Sequence, residues 1–408
     1  FNAECKGTVG MKRGNLSGEQ REMQRHIVRL ALPNIVSNIT VPLLSLVDVG
    51  LAGHLESGNA IGAVAIASGS LNTLYWLFGF LRMGTTGYVA QSFGRSDVRR
   101  INLYLVRGLF MALVFGVLLT FATPLVTAFA HFMAQNERGI GCEAEGYIHI
   151  ALLGAPAALA LYVLNGWFIG MQNTRAPMAT AIFINVLNIA ISYSLVTFGG
   201  RGVDGLATGT VVAQYTGVLL LCGVALIKYR RLLRFARITD AFSTEHLGEF
   251  LGTGRDIFVR SLLLSAVTLF FTYASVGEGA LTVAANTVLL QLFSLFSYFT
   301  DGFAYAAEAL TGRYLGQKRE DKLRMMVRMV FRIAFVTTLA TTMLYFFLPK
   351  QIIGILSDKP EVIDTAMRYA YWVALVPLSG FAAFIWDGIF VGATYSRGLL
   401  WSIVAASA

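Results

Sequence analysis

Long apolar segments alternate with short polar loops along almost the whole chain. Nearly uncharged segments such as 109–128, 179–198 and 203–227 have the roughly 20 residues that a helix needs to cross a hydrocarbon core of about 30 Å. Alternating segments of about ten residues, typical of membrane β-barrels, do not occur, so helices are the remaining spanning structure. We predict ten spans at 26–51, 60–92, 101–130, 145–172, 177–199, 203–228, 249–275, 280–313, 323–348 and 365–395, with an eleventh that begins near 398.

Composition supports a protein that is solvated largely by lipid. Hydrophobic residues make up 56% of the 408 residues and charged residues only 13%, whereas a soluble domain has about 25% charged residues. Residues 1–25 are polar and lack the apolar stretch of a signal peptide, so we interpret them as a tail, of which 1–10 precede the first Met and are expected not to be native. The three cysteines and five histidines show no disulfide or metal-binding spacing, and we expect no metal site.

Basic residues are concentrated in every second loop. Fifteen Lys and Arg residues lie in the loops after the even-numbered spans, and four lie in the other loops. Cytoplasmic loops of membrane proteins carry such an excess. We therefore expect a multi-pass protein of the cytoplasmic (inner or plasma) membrane with its N-terminus in the cytoplasm, and the net charge of +9 does not indicate nucleic-acid binding.

The chain contains an internal repeat with an offset of 222 positions. Residues 164–175 (LNGWFIGMQNTR) resemble 386–397 (WDGIFVGATYSR), and Gly94 and Gly316 fall on the same offset. Six helices in each copy would keep the two copies in the same orientation, which is a common transporter plan. We predict a six-helix lobe at 26–228, a cytoplasmic linker at 229–248 and an incomplete second lobe at 249–408, truncated in its eleventh helix.

Asp48 is the first candidate for a functional residue because it lies deep in the first span. Ionisable side chains inside a bilayer are costly and are functional candidates by default. Pro33 and Pro42 interrupt the same helix, and proline weakens the helical hydrogen-bond ladder, so this helix is expected to bend. A carboxylate beside a bendable helix suits coupling to a proton or another cation. The alternative is a static carboxylate that is hydrogen-bonded or paired with Arg82.

Three more acids lie in the second half of the chain. Asp301 and Glu308 are seven residues apart in the eighth span and thus share one helical face. They could form a proton or cation path, or a structural network. Asp387 occupies the position at which the repeat has Asn165, which favours a role in the second lobe. We interpret Arg82 as a structural partner that neutralises a nearby acid.

The chain lacks the motifs of nucleotide-driven and enzymatic chemistry. It has no P-loop, dinucleotide fingerprint, zinc-binding helix or serine elbow. We therefore expect no enzyme and no cofactor, with an ion gradient as the energy source. Arg255, Asp256 and Arg260 lie near the start of the seventh span and are predicted to be ion-paired anchors rather than a site.

Several segments resemble the multidrug and toxic compound extrusion (MATE) family, in its DinF-like branch. The most specific are 81–91 (LRMGTTGYVAQ) and 301–312 (DGFAYAAEALTG), to which 185–188 (NVLN) and 202–207 (GVDGLA) add. The resemblance runs from about residue 27 to 408. It implies twelve helices in two six-helix lobes around a V-shaped cavity, and efflux of organic cations or drugs driven by proton or sodium antiport.

The same resemblance implies roles for individual residues. Asp48 matches the first-helix acid used for ion coupling, and Asp387 matches a tenth-helix acid implicated in cation binding. The fifth-helix pattern often ends in an acid where this chain has Ser192. Asn185 and Asn188 are then the expected hydrogen-bond partners of Asp48. The absence of that acid, and of one in the seventh span, favours protons.

We expect a proton- or sodium-coupled exporter of amphipathic, cationic small molecules that acts as a monomer and contacts membrane lipid. One alternative is a flippase for lipid-linked precursors, which we would expect to have several basic residues in its cavity. A membrane-embedded enzyme would need a convergent catalytic pair, and no His or Cys is placed for one.

Overall fold

The computed structural model describes residues 4–55, 57–134 and 137–407. Within these ranges all regular structure is helical. The helices are α1 (Glu4–Gly53), α2 (Ala60–Leu77), α3 (Phe80–Gly94), α4 (Val98–Phe121), α5 (Thr123–Met133), α6 (Arg138–Leu152), α7 (Ala155–Gly170), α8 (Arg175–Thr197), α9 (Gly202–Lys228), α10 (Arg230–Leu233), α11 (Leu247–Gly277), α12 (Ala280–Gly316), α13 (Glu320–Phe347), α14 (Pro349–Leu356), α15 (Pro360–Gly392) and α16 (Ser396–Ser407), with a short 3-10 helix at Ile238–Phe242.

The predicted spans correspond to these helices. Among the described residues, nine helical segments are long and apolar enough to cross a membrane, and the bent pair α6–α7 makes a tenth. α16 starts within two residues of the predicted eleventh span. The prediction of an all-helical, multi-pass membrane protein is therefore confirmed.

Three predicted spans are each divided into two helices. The second is α2 and α3, the third is α4 and α5, and the fourth is α6 and α7, which meet at an angle of 53°. Pro124 and Pro156 stand at the starts of α5 and α7, where the missing N–H does not cost a helical hydrogen bond. The apolar pattern identified these spans but could not locate the breaks.

The first helix is longer than predicted. α1 begins at Glu4, so most of the predicted tail at 1–25 is helical and continuous with the first span. Residues 1–3 of that tail lie outside the described residues. α1 also passes through Pro33 and Pro42 without a break. A change in the bend of this helix stays a prediction.

The 222-residue offset is visible in backbone packing. A Cβ atom on Gly166 would lie 2.5 Å from the carbonyl oxygen of Arg82, and one on Gly388 would collide with the carbonyl of Ala304. Gly166 and Gly388 are repeat partners, and so are Arg82 and Ala304. Glycine permits such close approach of two helices, so the two halves use the same helix-packing contact.

The turns repeat in the same way. Ser96 and Lys318 both have positive φ, at 58° and 55°, as do Gln172 and Thr394, at 62° and 55°. Each pair is separated by 222 positions. None of these four residues is glycine, and positive φ is uncommon for other residues. The same uncommon backbone conformation therefore occurs at equivalent positions of the two halves. The turns thus repeat at the same 222-residue offset as the sequence motifs.

Packing within each half follows the same plan, and the two halves meet along α3 and α12. α1 packs on α8 in the first half as α11 packs on α16 in the second, and α4 packs on α7 as α13 packs on α15. α12 also contacts α1 and α3. Polar residues near α3 and α12 are therefore brought together from both halves.

The segment predicted as a linker is held against the first half. Asn102 donates a 2.8 Å hydrogen bond to the carbonyl of Leu232. The buried guanidinium of Arg107 donates to the carbonyls of Ser243 and Glu245, at 2.7 and 2.8 Å. Both donors lie on α4, so this helix fixes the connection between the halves.

Candidate functional site

A salt bridge joins the two halves in the interior of the protein. Arg82, in the first turn of α3, lies 3.3 Å from Glu308 of α12, and their side chains are 12% and 2% exposed. The guanidinium also lies 4.1 Å from the centre of the Tyr305 ring, a distance typical of cation–π contact. Arg82 lies just after the break between α2 and α3, in the interior of the protein. Its contact with Glu308 agrees with the prediction that Arg82 neutralises a nearby acid.

A second ion pair lies nearby in the second half. Arg260 of α11 lies 2.6 Å from Asp387 of α15, and the two side chains are 16% and 23% exposed. Asp301 of α12 lies within electrostatic range of Asp387, Arg82 and Arg260. It forms no hydrogen bond or ion pair with any described residue. Asp301 is thus the one acid of this group without a direct partner in the described chain.

We call these five residues the charged cluster: Arg82, Arg260, Asp301, Glu308 and Asp387. Three carboxylates face two guanidinium groups, so the cluster carries one net negative charge when every group is ionised. One Glu308 oxygen, Oε1, is buried without a hydrogen-bond partner in the described chain. A buried carboxylate oxygen without a donor is costly, and binding a proton or a cation would reduce that cost.

Asp48 forms a separate polar site in the first half. Its Oδ1 atom is buried and has no hydrogen-bond partner among the described residues. The phenol of Tyr147, a residue only 5% exposed, lies within electrostatic range of Asp48. Tyr147 in turn lies near Thr210 of α9. Asp48 forms no ion pair with a described residue, and Arg82 is paired with Glu308 instead, so the alternative of a pair between Asp48 and Arg82 is wrong.

The expected amide partners of Asp48 bind other groups. Asn185 donates to the carbonyl of Thr40 on α1, at 3.2 Å. Asn188 donates to the hydroxyl of Thr210, at 2.9 Å, and accepts from Ser192, at 3.2 Å. The prediction that Asn185 and Asn188 hydrogen-bond to Asp48 is therefore wrong, because their amides lie nearer to α9 and to an earlier turn of α1. Asn188 contacts Thr210, which lies near Tyr147, and Tyr147 lies within electrostatic range of Asp48.

Ser192 occupies a position at which α8 and α9 are very close. It is fully buried, and a Cβ on Gly209 would lie 3.0 Å from the Ser192 backbone nitrogen and would collide with its hydroxyl. A carboxylate at 192 would need more room than this contact offers. The small side chain thus explains in part why the acid of the family pattern is missing here.

The side chains on α1 near its prolines bond to their own helix and to α12. Ser37 donates to the carbonyl of Pro33, at 3.0 Å, and Thr40 donates to that of Ser37, at 2.7 Å. Asn38 donates to the carbonyl of Tyr298 on α12, at 3.1 Å. These bonds stabilise α1 just before Pro42, which itself lacks the N–H that would bond to Asn38.

Arg260 and Tyr305 are members of this region that the sequence did not identify. Arg260 was predicted to be an ion-paired anchor rather than part of a site; it is ion-paired, but it lies about 16 Å along the helix from the predicted start at 249. This position well inside the span is the signal from which the sequence could have identified Arg260 as part of the site. The repeat provides a second signal, because Arg260 and Asp387 stand at the positions where the first half has the amides Asn38 and Asn165. Arg255 and Asp256 do form the expected pair, at 3.0 Å.

The described residues contain no group of three His, Cys, Asp or Glu side chains arranged to hold a metal ion. The polar sites instead consist of carboxylates, guanidinium groups, phenols and amides. Such groups can bind a proton, a monovalent cation or an organic cation without a resident metal.

Comparison with known proteins identifies the family. The sequence pattern of the MatE family matches residues 33–194 and 257–407. The chain is 35% identical to DNA damage-inducible protein F of Escherichia coli (strain K12) over 384 residues, which cover 93% of this chain and 83% of that protein. It is 24% identical to the probable multidrug resistance protein NorM of Thermotoga maritima, over 85% of this chain and 75% of that one.

A solved structure shares the fold. The outward-facing conformation of a multidrug resistance MATE family transporter of the MOP superfamily matches 94% of this chain and 86% of its own, with a TM-score of 0.80 and 21% sequence identity. The two-lobe plan predicted from the 222-residue offset is thus confirmed.

Proposed function

We propose that this chain, which belongs to the MatE family of membrane transporters, is a secondary active exporter of amphipathic, cationic small molecules coupled to protons or sodium ions. Relatives such as NorM are named as multidrug resistance proteins. The observation that carries the proposal is the pair of interior acidic sites, Asp48 in the first half and the charged cluster in the second.

The charged cluster supports the substrate class. Both of its guanidinium groups are already paired with carboxylates, so an anionic substrate would have to compete with Glu308 or Asp387. Asp301 has no direct partner in the described chain and leaves a net negative charge. Aromatic side chains such as Tyr305 lie in the same region. An organic cation with an apolar body would match both the charge and the rings.

Asp48 supports ion coupling. A carboxylate with an unpartnered buried oxygen and no cation beside it is stabilised when it takes up a proton or a small cation. Binding would remove a buried charge from α1, the helix that holds Pro33 and Pro42 and contacts α12 of the other half. We infer that this change alters the preferred bend of α1 and thereby the relation of the two halves.

The distribution of basic residues supports a location in the inner or plasma membrane. The loops after α3, α9 and α12 carry most of the basic residues, and from the positive-inside rule we propose that these loops and the N-terminus lie in the cytoplasm. We call this side of the bundle its basic end. Export then moves substrate from the basic end to the opposite end. We propose that a single chain suffices, since both acidic sites are made by one chain.

The test is efflux of a fluorescent cationic dye from liposomes under an imposed proton gradient, and separately under a sodium gradient. Dye movement driven by one gradient alone would establish antiport and identify the ion. Movement of an anionic dye in preference to a cationic one would contradict the proposed substrate class. Transfer of lipid-linked precursors, with no dye movement under either gradient, would favour a flippase instead.

A further inference from the structure

A cleft between α1 and α8 lies outside both acidic sites. It has a volume of about 700 Å³ and is lined at one end by Arg21, Arg25, Arg29 and Arg175. The first three are spaced four residues apart on α1, so they follow one another along one helical face at intervals of about 6 Å. Arg175 is the first residue of α8. Four arginines therefore line the cleft at the basic end of the bundle.

The opposite end of the cleft is apolar. Leu32, Val36 and Met178 continue the same two helices further from the basic end. From Arg29 to Val36 the helix advances about 10 Å, which takes the cleft from the membrane surface into the hydrocarbon region. The cleft thus changes from cationic to apolar along the membrane normal, in the same direction as a phospholipid of that leaflet.

The arginines of this cleft have no carboxylate partner. None of the four forms an ion pair with a described acid, in contrast to Arg82 and Arg260, which both do. The nearby acid Glu22 is close to His26 and Tyr314 instead. A second cavity, of about 430 Å³, shares Arg29 and Arg175 and adds Lys228. None of these arginines is therefore neutralised by a direct ion pair within the described chain.

We propose that this cleft binds one anionic glycerophospholipid from the leaflet at the basic end of the bundle. The phosphate would accept hydrogen bonds from Arg25, Arg29 and Arg175, because the guanidinium fork matches phosphate oxygens in a bidentate way. An acyl chain would lie along Leu32, Val36 and Met178. Basic clefts between helices at the cytoplasmic side are suited to anionic headgroups.

The bound lipid would connect the basic ends of α1 and α8. α1 also carries Asp48, so the lipid would hold one end of the helix whose other end holds the proposed coupling acid. A zwitterionic lipid would compensate less of the charge and would bind more weakly. The inference does not depend on which molecule the transporter exports.

The experiment is native mass spectrometry of the full chain released from micelles with equal amounts of phosphatidylglycerol and phosphatidylcholine. The wild-type protein should retain one phosphatidylglycerol in preference to phosphatidylcholine. The variant Arg25→Gln/Arg29→Gln/Arg175→Gln should lower this preference by about tenfold or more, because each basic residue at the membrane surface adds to the attraction for anionic lipid. All three side chains are exposed, so the variant should fold.

The matched control is Arg230→Gln/Arg231→Gln/Arg234→Gln. It removes the same charge from exposed arginines of the same end of the bundle that do not line the cleft. The control should keep the wild-type preference. An equal loss in both triple variants would show only general attraction to basic residues and would overturn the proposal, as would a wild-type protein with no preference. Retention of phosphatidylglycerol by Leu32→Asn/Val36→Asn at the wild-type level would contradict the placement of the acyl chain.

Discussion

Gly94 and Gly316 pack against each other's helices across the boundary between the two halves. A Cβ on Gly316 would lie 3.1 Å from the Cα of Gly94 and would collide with the carbonyl of Gln91, while one on Gly94 would collide with the carbonyl of Arg313. Gln91 and Arg313 are repeat partners, as the two glycines are. The contact is thus reciprocal and lies close to the axis that relates the halves.

The close contact at Gly94 and Gly316 predicts that one added methyl group has a large effect on stability. Gly94→Ala should destabilise the protein by roughly 1–3 kcal/mol, the usual cost of overpacking, because backbone atoms cannot move aside as a side chain can. Thermal unfolding in detergent measures this. Gly223→Ala is the control, since a Cβ there meets nothing within 4 Å and alanine is the better helix former. Equal stability of Gly94→Ala and Gly223→Ala would contradict the close approach.

The salt bridge between Arg82 and Glu308 predicts strong non-additivity. Arg82→Met alone leaves a buried carboxylate without its cation and should cost about 3–5 kcal/mol, whereas Arg82→Met/Glu308→Leu should cost considerably less. Unfolding of both single variants and the double variant gives the coupling energy. Losses that simply add would show that the two charges do not interact across the halves.

Opposite changes in the second ion pair should shift substrate affinity in opposite directions. Asp387→Asn removes a negative charge from the charged cluster, and Arg260→Gln removes a positive one. A charge about 8 Å from a bound cation contributes on the order of 1–2 kcal/mol at an effective dielectric constant of 20–40. The apparent affinity for a cationic dye should therefore fall about fivefold or more in Asp387→Asn and rise in Arg260→Gln, provided both variants fold normally. A fall in both, with normal unfolding temperatures, would contradict the electrostatic account.

Asp48 should be needed for coupling but not for folding. Asp48→Asn keeps the shape of the side chain and removes its charge, and Oδ1 has no described hydrogen-bond partner to lose. We expect gradient-driven dye efflux to fall to near background while the unfolding temperature is kept. Asp204→Asn, at an exposed acid of α9, is the control and should leave efflux intact. Normal efflux by Asp48→Asn would remove this residue from the mechanism.

Two arginines of α4 make contrasting contacts with the linker. Arg107 is 1% exposed and donates two hydrogen bonds to linker carbonyls, each worth about 1.5–3 kcal/mol for a charged donor. Arg99 makes an ion pair with Glu245 at the surface, with 75% and 37% exposure, which contributes about 0–1 kcal/mol. Arg107→Met should therefore make residues 234–246 sensitive to limited proteolysis, and Arg99→Met should not. Equal cleavage of the two variants would contradict the prediction that the buried hydrogen bonds of Arg107 hold the linker more strongly than the surface ion pair of Arg99.

The sequence by itself determined which segments lie in lipid and how they repeat. Both follow from short-range facts: a helix must be apolar for about 20 residues to cross the bilayer, and two copies of one plan retain glycines at matching positions. Asp48, Asp301, Glu308 and Asp387 were found for the same reason, because a charge inside an apolar segment stands out without knowledge of its neighbours.

Only the tertiary structure decided which of these groups are partners. Arg82 and Glu308 are 226 residues apart, and Arg260 and Asp387 are 127 apart, so their pairing depends on how α3, α11 and α15 pack around α12. The family resemblance implied that Asn185 and Asn188 bond to Asp48, but their amides donate to Thr40 and Thr210. Depth along a helix can be read from hydropathy, whereas the direction in which a side chain points is fixed by packing.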